Sequence, residues 1–424
     1  MRVVPSRVTG MYILYIHQYF ASRKGRTGTR SYEFGRFLVE KGHRVTMITS
    51  GLANPEFPVL EGRRYVERDV DGIRVVSVAG GYNDPHLGTA LTGWRRMLRF
   101  YEFARAASKV ARELDRPDVV FATHTPLTVG LAGISASRHF GVPFVFEVRD
   151  LWPEALVNVG ALGNPMAIWW LRRMARTIYR RADHIVALSP GMKEGVVRAG
   201  VAPSRVTLIP NASDLDLFRP DLDGRAARER LGLGKRFAAV YFGAMGLANG
   251  LEYVIEAARI LAERKQDHIV LVLQGGGGKR DELVALARRL DLQNVVFGEL
   301  VPKEEVPAIV AGCDVCLTIA RPGKDPTWSP NKLFDSLAAG KPVLINIGGW
   351  LGEMIARNAC GRFVAPDRPV ALADALVELS QNPVLCEQMG RNARTLAERD
   401  FDRNLLAARL EHVLAQVVTE KNTP

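Results

Sequence analysis

Short apolar runs recur along this chain, separated by stretches with helical spacing. Runs with strand character fall at residues 12–16, 45–49, 73–78, 119–122, 144–147 and 185–188. Segments with apolar residues three and four apart lie among them, at 30–41, 127–140 and 191–199. The alternation restarts at 238–242 and continues with strands at 269–274, 295–297, 315–319 and 343–346 and helical patterns at 251–263 and 281–290. Strands that are apolar throughout are buried on both faces, and strand–helix alternation predicts parallel sheets covered by helices. Residues 210–224 (PNASDLDLFRPDLDG) are rich in turn formers and carry no periodicity, so they read as a junction. The expected fold class is α/β, with two doubly wound Rossmann-like domains facing a central cleft. Residues 1–210 form the first and 211–424 the second, the last helix packing back on the first. Ligands of such sheets bind beyond the carboxyl ends of the strands.

A length of 424 residues, 47% of them apolar, suits more than one core. Four cysteines are too few for a disulfide framework, which points to a reducing compartment. Cys313 and Cys316 have redox or zinc spacing, but they lie in an apolar strand-like run with no second pair, and buried thiols are the expectation. No apolar block suits a membrane span or a signal peptide. Residues 1–10 read as a loose extension, with Met11 an alternative start to Met1. The charge is lopsided: residues 1–210 hold 30 Lys and Arg against 17 Asp and Glu, and the remainder 27 against 28. The basic residues concentrate in two aromatic-rich helical stretches, 94–112 (WRRMLRFYEFARAASKVAR) and 168–181 (IWWLRRMARTIYRR). The first fits either an anionic membrane surface or a solvated basic face. In the second, Trp169 and Trp170 are expected in the core.

Candidate chemistry sits where strands end. In residues 329–340 (SPNKLFDSLAAG), Ser329 is placed to cap a helix, Pro330 suits its first position and Gly340 its end. The free amides of such a helix start suit a phosphate, Lys332 adds a cation, and Asp335 is placed to accept from the two hydroxyls of a ribose. On these residues alone an ordinary capped helix burying Leu333, Phe334 and Leu337 is the simpler explanation. Glycine-rich loops follow three strands: Gly25 and Gly28 in 24–30 (KGRTGTR), Gly243 and Gly246 in 243–246, and Gly275 to Gly278 in 275–280. Their spacing matches neither the P-loop nor the dinucleotide fingerprint. His124 follows the strand at 119–122, and Glu147, Arg149 and Asp150 end or follow the next, in FEVRDLWPE. These residues would line the first domain's side of the cleft. Asp214-Leu215-Asp216 and Asp221-Leu222-Asp223 spell a metal-binding pattern, but both fall in the junction, where solvated turn residues are expected.

Six landmarks in order give the chain a familiar outline: RSYEFGRFLVEKGHRVTMITS (30–50), ADHIVALSPGM (182–192), IPNASDLDLF (209–218), VYFGAMGLANGLEYVIEAA (240–258), GELVPKEEVPAIVAGCDVCL (298–317) and SPNKLFDSLAAGKPV (329–343). From residue 11 to about residue 418 the chain resembles the retaining glycosyltransferases of family 4, which have the two-domain GT-B fold. FEVRDLWPEAL (146–156) is similar to members that build bacterial surface polysaccharides. The resemblance implies a nucleotide-sugar donor held by the second domain, with UDP the expected nucleotide, and a glycan or polyprenyl-diphosphate-linked acceptor on the first. It implies no metal and no cofactor. It gives Asp335 the place of the family's second glutamate, on the ribose, but puts Thr327 where the first stands. The family's arginine and lysine after the second domain's first strand become Ala244 and Asn249. Diphosphate charge is then left to Lys332, Arg321 and the amides around Pro330, those of Ser329 and Asn331, with Val301 completing the donor side. His124 matches a histidine near the sugar, and Gly25 and Gly28 match the loop under the diphosphate. An anionic lipid acceptor and the basic first half imply a cytoplasmic protein, peripheral on the inner face of the membrane.

Three other readings differ in class. An epimerase of the same fold would convert a nucleotide sugar without an acceptor. A nucleic-acid-binding protein would explain the basic half, but no recognised module is present. A dinucleotide-dependent oxidoreductase needs a GxGxxG fingerprint, which is absent.

Overall fold

The computed structural model describes residues 10–25, 28–82, 93–158, 160, 162–322 and 327–422. The chain divides into two compact units, Met1–Pro210 with Asn404–Pro424, and Asn211–Arg403.

The first unit is built on a sheet of eight strands: β1 (Tyr12–Ile16), β2 (Arg44–Ser50), β3 (Tyr65–Val70), β4 (Ile73–Val78), β5 (Val119–Thr123), β6 (Phe144–Val148), β7 (His184–Ala187) and β8 (Val206–Leu208). They lie in the order β3-β4-β2-β1-β5-β6-β7-β8, antiparallel only at β3–β4. β1, β5 and β6 are buried at every position, as two-faced parallel strands must be. β3 differs in pattern as in direction. Glu67 and Asp69 are exposed on it, and it occupies the sheet edge, where charge discourages further pairing. That charge is why a search for apolar runs passes over it.

The second unit has six parallel strands: β9 (Phe237–Phe242), β10 (Ile269–Gln274), β11 (Val295–Gly298), β12 (Val315–Thr318), β13 (Val343–Ile345) and β14 (Gly361–Phe363). Their order is β11-β10-β9-β12-β13-β14. Along β9 successive side chains enter opposite cores, Ala239 and Tyr241 on one face and Ala238, Val240 and Phe242 on the other. Both faces of this sheet are therefore covered. β8 and β14 are three residues long, too short for periodicity to reveal.

The helix Arg403–Asn422 returns the chain to the first unit. There His43 Nδ1 accepts from the Met11 amide at 3.0 Å, which leaves the ring proton on Nε2, 2.9 Å from Glu411 Oε1. The second unit thus ends at Arg403 and not at the chain's end. Residues 1–9 of the expected extension lie outside the described residues, as do Arg26 and Thr27 of the first glycine loop.

Two expectations are corrected. The junction is solvated only in part: Asp216, Asp221 and Asp223 are exposed as expected, but Asp214 and Phe218 are buried and the Ser213 hydroxyl donates to the Phe334 carbonyl at 2.8 Å. Trp169 and Trp170 are not in the core. The helix Pro165–Arg181 buries Leu171, Met174, Ala175, Ile178 and Tyr179 and turns both tryptophans outward. A stripe three and four residues apart fills its inner face, and the tryptophans fall outside that stripe. Cys313 and Cys316 are buried, and burial pushes their thiols up to about 12 and about 11.

Candidate functional site

In the second unit the strand order reverses between β9 and β12, and the loops beyond these strands open the crevice where such sheets bind ligands. β9 ends at Gly243 (φ +123°) and β10 at Gly275 (φ +135°), backbone conformations essentially closed to other residues. A side chain on Gly275 would collide with the Gly243 carbonyl. The two loops are zipped together, Gly243 N to Gln274 O at 2.9 Å and Met245 N to Gly276 O at 2.7 Å. The result is backbone that is exposed at Gly243 and buried at Gly275, with no side chain of its own at either position.

Lys332 reaches this backbone from the helix Asn331–Ala338. Its Nζ donates to the Tyr241 hydroxyl and stands 3.6 Å from the centre of the Tyr241 ring. It would also lie 3.6 Å from a Cβ at Gly243. The Tyr241 hydroxyl donates onward to the Ala244 carbonyl at 2.6 Å. Burial pushes the Lys332 pKa down to about 7. Asn249 braces its own loop, its Oδ1 accepting from Gly246 N at 3.2 Å. The cation beside the β9 glycine therefore comes from a helix elsewhere in the sequence, while Ala244 and Asn249 are backbone partners.

The cap differs from the expectation. Pro330 (φ −73°, ψ 129°) occupies the cap position, the helix begins at Asn331, and no side chain caps it. Ser329 precedes the cap and is buried with its hydroxyl unpartnered, while its carbonyl accepts from Asn211 Nδ2 at 2.5 Å. A serine one residue too early cannot reach the helix amides, and its hydroxyl is left for another partner. Asn331 is half-buried at the helix start.

Asp335 is buried and paired with Lys303, Nζ to Oδ2 at 3.5 Å. Lys303 also lies 3.9 Å from Asp214, which in turn takes Arg403 at 2.7 Å. Burial raises the Asp335 pKa, and Lys303 opposes the rise. Sequence reading missed Lys303, whose only signal is a cation in a Pro-containing loop after β11. Val301 is half-buried in that loop, next to Leu300, whose Cβ is 3.5 Å from a Cβ position at Gly276. Arg321 is exposed after β12, its amide donating to the Ala248 carbonyl at 3.1 Å.

The first unit reverses its strand order between β1 and β5. His17, which follows β1, is buried and shares a 2.7 Å hydrogen bond with the Ser31 hydroxyl. His124, after β5, is buried with neither ring nitrogen partnered, and packs edge-on against Trp152 at 5.4 Å. Burial, aided by the Arg149 charge, lowers its pKa to about 3, so the ring is neutral. Arg149 and Asp150 are half-buried. Glu147, expected on the acceptor side, is instead sealed beneath the strand ends. Arg30 Nε donates to its Oε1 at 2.9 Å, and Thr123 Oγ1 donates to its Oε2 at 3.1 Å and lies 3.0 Å from the Tyr15 hydroxyl. Arg30 spends its remaining nitrogens on the carbonyls of Pro210 (2.6 Å) and Ile209 (2.8 Å). Glu147 is therefore a buried partner of Arg30 and Thr123 at the strand end. Gly25 is buried where a side chain would strike Glu56 and Ala21, and Gly28 is half-buried.

The chain matches two family models, the glycosyl transferase 4-like domain over residues 27–212 and the glycosyl transferases group 1 over residues 224–396. A relative named for a glycosyl-transferase role in colanic acid biosynthesis, WcaI of Escherichia coli (strain K12), is 25% identical over 93% of this chain and 96% of its own. A relative from Mycolicibacterium smegmatis, named as a GDP-mannose-dependent phosphatidylinositol monomannoside mannosyltransferase, is 29% identical over 58% of this chain and 67% of its own. The crystal structure of Anabaena HepE with UDP-glucose superposes with a TM-score of 0.71 at 19% identity, covering 96% of this chain and all of that one.

Proposed function

The chain belongs to the glycosyltransferases of GT-B fold, and from that premise we propose a retaining enzyme that moves a sugar from a UDP-sugar to a glycan or polyprenyl-diphosphate-linked acceptor in surface-polysaccharide assembly. The observation that carries the reading is Lys332 held against the exposed strand-end backbone of Gly243, three residues after Ser329, whose hydroxyl is unpartnered. As the glycosyl–phosphate bond breaks, positive charge grows on the sugar and negative charge on the leaving diphosphate. A cation and amides fixed in advance stabilise that charge without reorganising, and one such contact contributes about 3 kcal/mol to lowering the barrier. Lys332 acts as that cation, and the helix start at Asn331 supplies amides. Asp335 and Lys303 together form the ribose end. The leaving diphosphate accepts the acceptor's proton, so no protein carboxylate is needed as nucleophile, and the charge is met without a metal. The choice of UDP follows the HepE complex, and the mannosyltransferase relative makes GDP the comparison.

A panel of UDP- and GDP-sugars screened by thermal stabilisation, followed by nucleotide release with and without acceptor glycan, tests the reading. We expect one UDP-sugar to stabilise the protein and nucleotide to appear only with acceptor, with the product's anomeric configuration retained. Conversion of the donor in the absence of acceptor would replace the transferase with an epimerase. Inversion at the anomeric carbon would overturn the mechanism.

A further inference from the structure

We propose that the outer face of the helix Pro165–Arg181, with the adjoining turn of the helix Gly93–Ala111, docks this protein on an anionic lipid bilayer. The inference goes beyond the transferase reading and does not depend on it. Among the described residues no helix is long and apolar enough to cross a membrane, so the contact is with the surface.

The first observation is apolar. Met166 is 78% exposed, Trp169 63% and Trp170 44%, all on the first two turns of one helix. Solvated tryptophan pairs are unusual, and clustered exposed apolar side chains mark interaction sites. Their outward aim is built in. Asn164 caps the helix by accepting from the amides of Met166 and Ala167 at 2.9 and 3.1 Å. Trp170 packs on Tyr101 of the neighbouring helix at 5.9 Å, and the Tyr101 hydroxyl donates to Met174 Sδ at 3.5 Å. Leu98, three residues before Tyr101 and so on the same side of its helix, is 49% exposed. The apolar cluster thus spans two helices held in register.

The second observation is charge. Arg173, Arg176 and Arg180 stand four, seven and eleven residues after Trp169, on the same stripe of the helix. All three are exposed, and among the described residues no carboxylate pairs with them, whereas Arg172 is paired with Glu154 and Arg99 with Glu102. One stripe therefore runs from aromatic to unneutralised cationic. A bilayer interface satisfies both ends, taking indole rings at headgroup depth and arginines against anionic lipid. A second copy of this chain meets the stripe only in an antiparallel contact, since a parallel two-fold pair would set arginine against arginine, whereas a bilayer takes both ends at once.

The test is sedimentation of the full-length protein with neutral phosphatidylcholine vesicles and with vesicles containing phosphatidylglycerol, at low and high salt. Three forms are compared: the wild type, Trp169→Ala/Trp170→Ala and Arg173→Gln/Arg176→Gln/Arg180→Gln. All five positions are exposed, so unchanged melting temperatures are expected. The wild type should bind anionic vesicles and release in high salt. The arginine variant should lose about a hundredfold in partitioning, about fivefold for each arginine. The tryptophan variant should lose quenching by brominated acyl chains. Equal binding to neutral vesicles, or wild-type binding by both variants, overturns the proposal. So does a concentration-dependent dimer that the tryptophan substitutions abolish, which would assign the face to a second copy.

Discussion

At the strand ends of the second unit Gly243 is exposed and Gly275 packs beneath its carbonyl, with Lys332 laid beside Gly243. At the strand ends of the first unit the backbone is covered. His17 and His124 are sealed, and beneath them Tyr15, Thr123, Glu147 and Arg30 form a closed hydrogen-bonded chain. The two sheets share a strand-order reversal, but one ends in glycines with a lysine held beside Gly243, and the other buries an unpartnered histidine, His124, above an ion pair satisfied from within. On the proposed reading a charged leaving group is met by a cation held in place beforehand, and the hydrogen bond to Tyr241 holds Lys332 so. In the first unit the buried Arg30–Glu147 pair fixes the strand ends.

The comparison breaks most visibly at Glu147. Glu147→Ala leaves the Arg30 guanidinium buried without its carboxylate, a loss of about 3–5 kcal/mol of stability measurable by urea unfolding. A change near zero would mean that the buried chain in the first unit carries no structural load.

Lys332→Met should leave the fold intact and lower kcat by about a hundredfold, about 3 kcal/mol of barrier, with Lys332→Arg recovering part of it. The same lysine sets the pH dependence. Only its protonated form holds a diphosphate, and its free-state pKa lies near 7. Donor affinity should therefore be flat below that pH and fall about tenfold per unit above it, until the donor-raised pKa is passed. For stability the sign is opposite. The unfolded state binds more protons between about 7 and the ordinary lysine value, so the protein gains stability as pH rises through that window. Lys332→Met should remove both slopes, and slopes unchanged in this variant would acquit the lysine.

Asp335→Ala should weaken nucleotide binding by about 2 kcal/mol, roughly thirtyfold in Kd by calorimetry, because the ribose loses a charged acceptor. An unchanged Kd would leave Asp335 only as the partner of Lys303. His124→Ala should lower kcat by about tenfold while leaving donor Kd alone, since the residue belongs to the unit without the bare glycines. Equal losses in both parameters would contradict that division. At the bottom of the scale, a chelator should change nothing. Activity lost in chelator and restored by magnesium or manganese would end the proposal that Lys332 and the helix amides meet the diphosphate alone.

Much of the second unit's candidate site was legible because its signals are local. Glycines after strands and a Pro-led helix carrying Lys332 and Asp335 are visible within a dozen residues. What lay beyond reading was which distant groups complete them. Lys303 joins Asp335 across 32 positions, and Tyr241 takes Lys332 across 91. Ser329 misled because cap chemistry depends on the backbone angles of one residue, and Pro330 took the cap instead. The first unit was harder throughout. Arg30 and Glu147 are 117 residues apart, and nothing near either announces the pair.

Trp169 and Trp170 show the same division from the surface. Composition marked the helix as aromatic and basic, and an aromatic residue is buried more often than not. Which face turns inward is decided by the stripe of Leu171, Met174 and Ile178 that the neighbouring elements accept. The sequence by itself determined the parallel strands of both sheets, the two-unit plan, the glycine-ended strands and the cationic first half, because all of these follow from periodicity, turn chemistry and charge, which neighbours in the chain encode. Only the tertiary structure decided which lysine lies on which glycine, which carboxylate is sealed by which arginine, and which tryptophans face water, because those outcomes depend on contacts between residues that meet only after the sheets have formed.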